Sequence, residues 1–518
     1  MDSYDFIVIG SGFGGAVSAL RLAQKGYKVA VLEKGLRYRN EDFPKTNWNL
    51  RKSIWMPKLG LLGIQSLTLL RHVLVLNGVG VGGGSLVYAN QLIVPNDDIF
   101  KKPEWGGSGW KQKLLPHYQE ASRMLGAVTC PSIGNADSIL REVGIELRGE
   151  DTFHINPVGV FFGEPDKTVA DPYFDGDGPE RAGCKFCGAC MIGCPNGAKN
   201  TLDKNYLYLA EKLGVKIISE TEVSGVRLVG NHGYQVMAEA SHGLSKKKLT
   251  FDCKNVVFSG GVLGTVKLLL DCKEKGLLPN LSDKLGDFTR TNSEAILGVD
   301  SRDQSKDWND HIAITSGIYP DGNTHIEVVR YNKGSDVMYA LATVLTNGGG
   351  KIPRVLRFFG NILRHPLQFL RGLWIPGQSA RSSVILVMQS TENYLRLKRT
   401  RFGLNSKLPV DGQRIPTYIP IANEVTRKMA EKMKGFAKGS WFEVLLDAPT
   451  TAHILGGCIM GNSASEGVVD REGKIFGYQG LYVADGSVVP VNLNANPALT
   501  ITALAEYIMA EIPVKSKN

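Results

Sequence analysis

The first 33 residues alternate apolar and polar stretches in the order of a strand, a turn, a helix and a second strand. An apolar run at 6–9 predicts a buried strand that ends in the sequence GSGFGG at 10–15. A helix is predicted at 16–25, and a second strand at 28–32 ends on Glu33. This order is typical of a βαβ unit that binds a dinucleotide at the N-terminus of its helix.

The glycines of this turn and the acid after the second strand have separate expected roles. Gly10 makes the turn, Gly12 lets the backbone approach a pyrophosphate, and Gly15 lets the helix pack closely on the strand. Glu33 accepts a hydrogen bond from a ribose hydroxyl. A glycine-rich turn that holds no ligand is the weaker alternative, because the strand, the helix and the acid all occur at their expected spacing.

Three later segments repeat the pattern of a strand that ends in glycine. The sequence NGVGVGGGS at 77–85 follows an apolar run, although by itself it is equally typical of a flexible turn. The sequence FSGGVLGT at 258–265 opens a predicted helix, and YVADGS at 482–487 precedes another at 498–509. These scattered strand ends indicate one cofactor-binding domain that is assembled from discontinuous segments.

Length and charge narrow the class of protein. At 518 residues the chain is too long for one compact core, so we expect two domains. No basic and apolar leader precedes the first strand, and the longest apolar stretch, 54–76, is interrupted by charge and proline. These features predict a cytoplasmic protein. The net charge of +10 permits an anionic partner, but no segment has the pattern of a nucleic-acid module.

Several motifs together resemble those of a known family. They are GSGFGG at 10–15, GVGGGSLVYAN at 80–90, TRTNSE at 289–294, HILGGC at 453–458, and YVADGS with NPALTITALAE at 482–506. On these motifs the chain resembles the glucose–methanol–choline (GMC) oxidoreductases, in their cholesterol-oxidase-like branch. The resemblance implies non-covalent FAD and an α/β fold (α+β overall), in which a dinucleotide-binding FAD domain joins a substrate domain with a mainly antiparallel sheet.

The resemblance also implies domain limits and cofactor contacts. The FAD-binding domain takes 1–100, 195–295 and 445–518, the segment 101–194 forms a cysteine-containing insertion and part of the substrate domain, and 296–444 forms the rest of the substrate domain. The implied cofactor-binding residues are Gly10, Gly12, Gly14, Gly15, Glu33, Gly83, Gly84, Ser85, Asn90, Val223, Gly260, Asp485 and Gly486.

Two residues are implied to carry the chemistry. Alcohol oxidation needs the hydroxyl proton removed while a hydride leaves for flavin N5, and a histidine has a pKa suited to that proton transfer. His453 takes this role, and Asn496, before Pro497, orients the hydroxyl oxygen. Secreted cholesterol oxidases use an additional carboxylate to move a double bond. No motif in this sequence aligns it, and Glu327 is the candidate we name.

The expected reaction is FAD-dependent oxidation of a bulky apolar alcohol, a hydroxysteroid or sterol, to the ketone. An oxidase that passes electrons to O2 is the nearest alternative. A flavin-dependent ketosteroid reductase and a flavin electron-transfer protein without turnover are the others, and neither needs the pair formed by His453 and Asn496. The sequence does not identify the alcohol or the electron acceptor.

Four cysteines fall within eleven residues and form the sequence C-x2-C-x2-C-x3-C-P. This is the spacing of bacterial ferredoxins, so Cys184, Cys187, Cys190 and Cys194 predict an iron–sulfur cluster of the [4Fe–4S] or [3Fe–4S] type. Zinc is the rival ligand, although four-cysteine zinc sites usually place their two pairs further apart. Four unliganded buried thiols are the third interpretation. A cluster would pass electrons to a redox partner protein or a quinone.

The segment 351–374 contains no acidic residue. Its apolar residues, among them Leu356, Phe358 and Phe359, recur at helical spacing, and Arg354 and Arg357 begin a separate polar face. A basic amphipathic helix of this kind lies in a membrane interface, which would make the protein peripheral on the inner face of a membrane. A helix that packs on the core and solvates its basic face is the equal alternative.

Overall fold

The computed structural model describes residues 3–149, 152–230, 233–243, 247–410 and 413–516. The helices in these ranges are α1 (Phe13–Gln24), α2 (Leu50–Ser53), α3 (Trp110–Met124), α4 (Asn135–Arg148), α5 (Tyr206–Lys212), α6 (Gly261–Glu274), α7 (Arg354–Arg364), α8 (Pro366–Leu373), α9 (Pro420–Lys432), α10 (Trp441–Leu445) and α11 (Ala498–Ala510). No helix among the residues described is long and apolar enough to cross a membrane.

The strands follow in the same chain order. They are β1 (Ser3–Ile9), β2 (Val29–Leu32), β3 (Trp55–Met56), β4 (Leu61–Leu62), β5 (Gln65–Leu70), β6 (Val73–Gly78), β7 (Ala127–Thr129), β8 (Phe153–Ile155), β9 (Pro157–Gly159), β10 (Thr168–Val169), β11 (Arg181–Ala182), β12 (Lys216–Ile218), β13 (Thr221–Val229), β14 (Gly233–Ala240), β15 (Lys248–Phe258), β16 (Ala295–Asp300), β17 (Ser316–Ile318), β18 (Thr324–Val329), β19 (Ala342–Val344), β20 (Ser382–Gln389), β21 (Arg396–Thr400), β22 (Gly403–Lys407), β23 (Phe436–Ser440), β24 (Thr450–Thr451) and β25 (Leu481–Val483).

The first large sheet has the order β12-β2-β1-β15-β14-β13, and β25 pairs with the last residues of β15. The pairs β12·β2, β2·β1, β1·β15 and β15·β25 are parallel. Ile9 stands opposite both Leu32 and Phe258, and Phe258 stands opposite Val483. Four strands therefore end level, and the turns that follow them meet at one edge, where parallel α/β sheets bind their ligands.

Helices α1, α3, α5 and α11 pack together beside this sheet. Arg21 of α1 forms ion pairs with Glu506 of α11 at 2.7 Å and with Glu120 of α3 at 2.6 Å. The Tyr118 hydroxyl of α3 lies 2.8 Å from the Thr500 hydroxyl of α11. Helix α3 therefore packs in the hydrophobic core beside the first sheet.

The second large sheet has the order β19-β23-β16-β20-β18-β17-β8, and all its neighbouring strands are antiparallel. Alternate residues point to opposite faces of a strand. Leu297 and Ile385 pack in a core with α4 and α9, whereas Ile296, Val384 and Leu386 belong to a separate apolar cluster on the other face. The substrate domain therefore has the antiparallel sheet that the motifs implied, with one face left open toward the first sheet.

The acid-free segment forms two helices, α7 and α8, that are separated at His365. Pro366 is the first residue of α8, and the residue before a proline is disfavoured in helical conformation, which explains the break. Helix α7 turns its basic and amide residues inward, where Arg354 and Asn361 donate hydrogen bonds to backbone carbonyls. The polar face of α7 is therefore partly buried at these residues, whereas Arg364 at its end is exposed.

Candidate active site

A cavity of about 680 Å³ lies between the level strand ends of the first sheet and the open face of the second. Its first wall is built by turns that follow β1, β2, β15 and β25, and its second wall by β16, β20 and residues near β19. This volume lies within the range of cofactor and ligand pockets. The cavity joins the two domains, so one group bound to the first wall would face another bound to the second.

The glycines at the first wall are required for different physical reasons. A Cβ on Gly14 would lie 1.6 Å from the Ala484 carbonyl oxygen, and a Cβ on Gly15 would lie 2.0 Å from the Gly10 carbonyl oxygen. These two glycines allow α1 to approach the strand ends. A Cβ on Gly12 would meet nothing within 4 Å, because Gly12 borders the open cavity. A bound ligand could therefore approach the backbone of Gly12 closely.

Helix α1 begins at Phe13, which lines the cavity, so the positive end of the helix dipole faces that space. Its first turn contains no acidic residue that would offset this charge. Glu33, which is buried, lines the same wall. One carboxylate oxygen accepts hydrogen bonds from the Ser11 backbone N–H at 3.0 Å and from the Ser11 hydroxyl at 2.8 Å, and the other accepts from the Gly35 N–H at 2.9 Å. The carboxylate is thereby held at the end of β2.

Most of the sequence-predicted cofactor residues line this cavity. They are Gly10, Gly12, Gly14, Glu33, Gly83, Gly84, Val223, Gly260, Asp485 and Gly486. Gly15, Ser85 and Asn90 do not. The Ser85 hydroxyl donates to the Gly82 carbonyl at 2.7 Å and accepts from the Leu202 N–H at 3.0 Å, so it fixes the glycine-rich turn from behind.

The polar end of the cavity contains His453 and Asn496. The Nδ1 atom of His453 lies 3.4 Å from a carboxylate oxygen of Glu294. That oxygen also accepts hydrogen bonds from the Thr451 hydroxyl at 2.7 Å and the Ala452 N–H at 2.9 Å. These contacts fix the carboxyl group of Glu294 behind the imidazole. Nδ1 itself is buried and makes no hydrogen bond among the described residues, and a proton there would leave Nε2 as an acceptor.

Glu327 stands on the other side of Asn496. Its two carboxyl oxygens accept hydrogen bonds from the Asn496 amide at 3.0 Å and from the Asn156 amide at 2.8 Å. The Oδ1 atom of Asn496 is buried and has no hydrogen-bond partner within the described ranges. Since a buried acceptor is costly to leave unpaired, this oxygen is available to a ligand hydroxyl.

Burial sets the charge of these groups. It raises the pKa of Glu294 to about 8 and the pKa of Glu327 to about 8, where the neighbouring charge of Glu294 adds to the effect. Burial lowers the pKa of His453 to about 4. At neutral pH the site therefore contains two protonated carboxyl groups and a neutral imidazole. A neutral imidazole is the form that can accept a proton.

Neither Glu294, which lines the cavity, nor Asn156, which holds Glu327, was predicted as a site residue from the sequence. Glu294 ends the motif TRTNSE, but its pairing with His453 joins residues far apart in the chain. Asn156 follows β8 and belongs to no motif. The second wall contributes apolar residues, with polar ones such as Ser382 and Lys438 among them; the apolar residues include Ile314, Val329, Met338, Tyr339, Leu341 and Leu386.

Comparison with known proteins agrees with this geometry. Residues 176–273 and 417–505 match the GMC oxidoreductase family, and residues 5–41 match an FAD binding domain. The cholesterol oxidase of Mycobacterium tuberculosis (strain ATCC 25618 / H37Rv) is 44% identical over 532 residues, which cover 99% of this chain and 92% of that protein. The cholesterol oxidase of Acinetobacter baumannii is also 44% identical, over 99% of this chain and 95% of that protein.

The chain belongs to the GMC oxidoreductase family. It is an FAD-dependent oxidoreductase that acts on CH–OH groups. The fold of this GMC oxidoreductase is shared with the crystal structure of pyridoxine 4-oxidase from Mesorbium loti, with a TM-score of 0.59, 13% sequence identity and 98% of each chain covered. The first wall of the cavity fits FAD, because the unobstructed Gly12, the α1 N-terminus and Glu33 match the dinucleotide pattern.

The four clustered cysteines of this GMC oxidoreductase line a second, small cavity beside the first. Backbone or amide N–H groups approach three of the sulfur atoms, with Phe186 N at 3.4 Å from Cys184, Asn196 Nδ2 at 3.4 Å from Cys187 and Ala313 N at 3.5 Å from Cys190. Among the residues described, no three His, Cys, Asp or Glu side chains are arranged to hold one metal ion. The predicted cluster therefore has no support from ligand geometry.

Proposed function

We propose that this protein oxidises the hydroxyl group of a sterol or another hydroxysteroid to the ketone. One observation carries the proposal. His453 and Asn496 line a polar end of a cavity whose second wall carries many apolar side chains, so a bulky apolar molecule fits there with one hydroxyl at the polar end. The relatives that are named cholesterol oxidases support the same substrate class.

FAD, when bound, supplies the acceptor for the hydride of the alcohol carbon. The chain's own residues handle the proton and the orientation. Asn496 Oδ1 accepts a hydrogen bond from the substrate hydroxyl during binding, and His453 Nε2 removes the hydroxyl proton as the hydride leaves. Glu294 then stabilises the protonated imidazole, because one of its carboxyl oxygens lies 3.4 Å from Nδ1 and can accept a hydrogen bond from it.

Glu327 supports a second step for substrates that carry a neighbouring double bond. As a carboxylate it would remove a proton from the carbon beside the new ketone and return that proton at the far end of the double bond. Its hydrogen bond to Asn496, which lines the cavity, holds it directly behind the polar end. Because the pKa of Glu327 is raised to about 8, this isomerisation should accelerate as the pH rises toward that value.

The substrate class is tested by anaerobic titration of the purified holoenzyme with a panel of alcohols. We expect hydroxysteroids to bleach the flavin absorbance at about 450 nm, because the bound cofactor takes their hydride. Short-chain alcohols should bleach it far more slowly, and the corresponding ketosteroids should leave it oxidised. A flavin that responds to short alcohols and not to hydroxysteroids would exclude the proposed substrate.

We further propose that the four cysteines hold an iron–sulfur cluster through which electrons leave. A buried lysine supports an anionic occupant. Lys199 is 1% exposed, and burial lowers its pKa to about 7, which an anion beside it would raise again. Lys199 lines the cysteine cavity and donates to the Cys190 carbonyl at 2.8 Å. Met191 lines the flavin cavity while its neighbour Cys190 lines the cysteine cavity.

A cluster suits this loop better than zinc does. The spacing C-x2-C-x2-C-x3-C is that of ferredoxins, whereas four-cysteine zinc sites usually place their two pairs further apart. The thiolates of a cluster bind different iron atoms, so they can stand further apart, and N–H groups directed at the sulfurs tune such centres. An oxidase that returns electrons to O2 remains the alternative, and it does not need a cluster.

Analysis of anaerobically purified protein tests the cluster. We expect iron and acid-labile sulfide, and higher activity with one-electron acceptors than with O2. Cys187→Ser should remove the iron, slow transfer to those acceptors and spare flavin reduction by substrate. Cys272→Ser is the matched control, since Cys272 is buried in α6 away from the four. Zinc, or protein without metal and with full O2 turnover, would contradict the proposal.

A further inference from the structure

Helices α7 and α8 expose a continuous apolar stripe. The residues are between 49% and 82% exposed, and all but the last recur every three or four positions along 352–373. The stripe consists of Ile352, Leu356, Phe359, Leu363, Leu367, Leu370, Leu373 and Trp374. Soluble proteins rarely leave an apolar surface of this extent without a function in binding.

The opposite side of the two helices is fixed to the protein by polar contacts. Arg354 donates to the carbonyls of Thr346 at 3.1 Å and Thr417 at 2.6 Å. Arg357 donates to the Gly348 carbonyl at 3.1 Å, and Arg371 donates to the Ser301 carbonyl at 3.1 Å. Since these side chains anchor the helices, the apolar stripe cannot turn inward without breaking them.

Aromatic packing reinforces this orientation. Phe358 is 2% exposed and packs against Trp441 with ring centroids 5.6 Å apart, and Phe369 packs against Trp441 at 6.0 Å. The neighbouring Phe359 is 54% exposed. The two adjacent phenylalanines therefore have different roles, one in the core and one on the stripe.

Helix α8 lies next to the wall of the active-site cavity. Its residues Phe369 and Leu373 line a small cavity together with Ala342 and Lys438. Ala342 and Lys438 also line the active-site cavity. The stripe thus stands on the outer surface of the layer whose inner surface faces the substrate.

We propose that the stripe of α7 and α8 docks on a lipid bilayer, and that the apolar substrate passes from the bilayer into the cavity beside α8. The substrate part of this inference rests on the proposed function. The charge of this segment favours a lipid surface over a protein as the partner of the stripe. The segment 351–374 has no acid, and its exposed cations Lys351 and Arg364 flank the stripe, an arrangement that suits anionic headgroups.

Sedimentation of the holoenzyme with vesicles of phosphatidylcholine and phosphatidylglycerol tests the docking. The variant Phe359→Ser/Leu363→Ser/Leu367→Ser should lose vesicle binding by at least about tenfold, because apolar side chains supply the insertion. Its melting temperature should not fall, since all three side chains are exposed. The control Leu213→Ser/Val229→Ser removes apolar side chains of similar exposure on the FAD domain and should bind vesicles as the wild type does.

Two further measurements separate the outcomes. Oxidation of a steroid dissolved in water should be unchanged in the triple variant, whereas oxidation of a sterol embedded in vesicles should fall about tenfold, in proportion to the lost binding. The proposal would be overturned if the wild-type protein did not bind vesicles but formed a dimer, and if the triple variant were monomeric. The stripe would then bind a second copy of the chain. If the protein binds vesicles but steroids do not bleach its flavin, the docking proposal stands and the proposed substrate class is excluded.

Discussion

At the scale of single residues, burial decides how the polar end of the cavity can work. An isolated histidine with a pKa near neutrality would be partly protonated, whereas His453 stays neutral because burial lowers its pKa to about 4. Glu294 keeps its proton for the same reason. In the mechanism we propose, the pair would receive the hydroxyl proton without holding a net charge beforehand.

Replacing His453 by Ala should leave FAD bound and slow flavin reduction by the alcohol. We expect a decrease of roughly 10²–10⁴-fold, which is the usual contribution of a general base. Stopped-flow absorbance under anaerobic conditions measures it. His242→Ala is the control, because His242 pairs with Glu220 at 2.7 Å on the surface. A variant that reduces its flavin at the wild-type rate would remove His453 from the mechanism.

Glu327 should make stability depend on pH. The unfolded chain releases this proton near pH 4.5, whereas the folded protein holds it up to about pH 8. Folding stability should therefore fall as the pH rises between these values, by about 5 kcal/mol at most. Glu327→Gln should flatten this slope in urea unfolding, and Glu41→Gln, on the surface, should not. Equal slopes in wild type and Glu327→Gln would show that Glu327 is ionised in the folded protein.

At the scale of elements, the sequence predicts the strands and turns that depend on neighbours in the chain. The first strand, turn and helix occur at β1 and α1 as predicted, because their pattern and their glycines are local. Other features depend on residues far apart. Arg354 turns inward because the carbonyls of Thr346 and Thr417 are there to receive it, and no periodicity within 351–374 contains that information.

The same limit applies to the site. His453 and Asn496 could be predicted because family motifs surround them, whereas the contact of His453 with Glu294 arises only when β16 and the segment after β24 meet. The exposure of Phe359 beside the buried Phe358 has the same origin. Trp441, from another helix, covers one phenylalanine and not the other.

The close contact between α1 and the turn after β25 should be sensitive to one methyl group. In Gly14→Ala the added Cβ would lie 1.6 Å from the Ala484 carbonyl, so either the helix or the turn that carries Asp485 must shift. We expect a loss of about 1–3 kcal/mol in stability and weaker FAD retention. Thermal unfolding and gel filtration with flavin absorbance measure both.

Gly360→Ala is the control for that substitution. Gly360 lies inside α7, and a Cβ there would meet nothing within 4 Å. Alanine at this position should leave FAD bound and preserve or raise stability by about 0.5–1 kcal/mol. Full FAD retention in Gly14→Ala would show that the turn can move without cost.

At the scale of the whole molecule, the cavity is an interface between two sheets, and its first wall is assembled from segments at both ends of the sequence. A ligand that bridges these segments should stabilise the fold as a unit. Removal of FAD should lower the melting temperature by several degrees, since a ligand at a hundred times its dissociation constant contributes about 2.7 kcal/mol. Calorimetry of holoprotein, apoprotein and reconstituted protein checks this, and identical transitions in all three would contradict the cofactor assignment.

The division of the cavity between two sheets also affects how such an enzyme can evolve. Gly12, His453 and Asn496 come from segments that build the first domain, whereas Ile314, Val329 and Leu386 come from the open face of the second sheet. A mutation on that face changes the shape available to the alcohol without moving the groups that take the proton or hold the cofactor. New substrates can therefore be acquired by single steps, each of which preserves the ancestral chemistry.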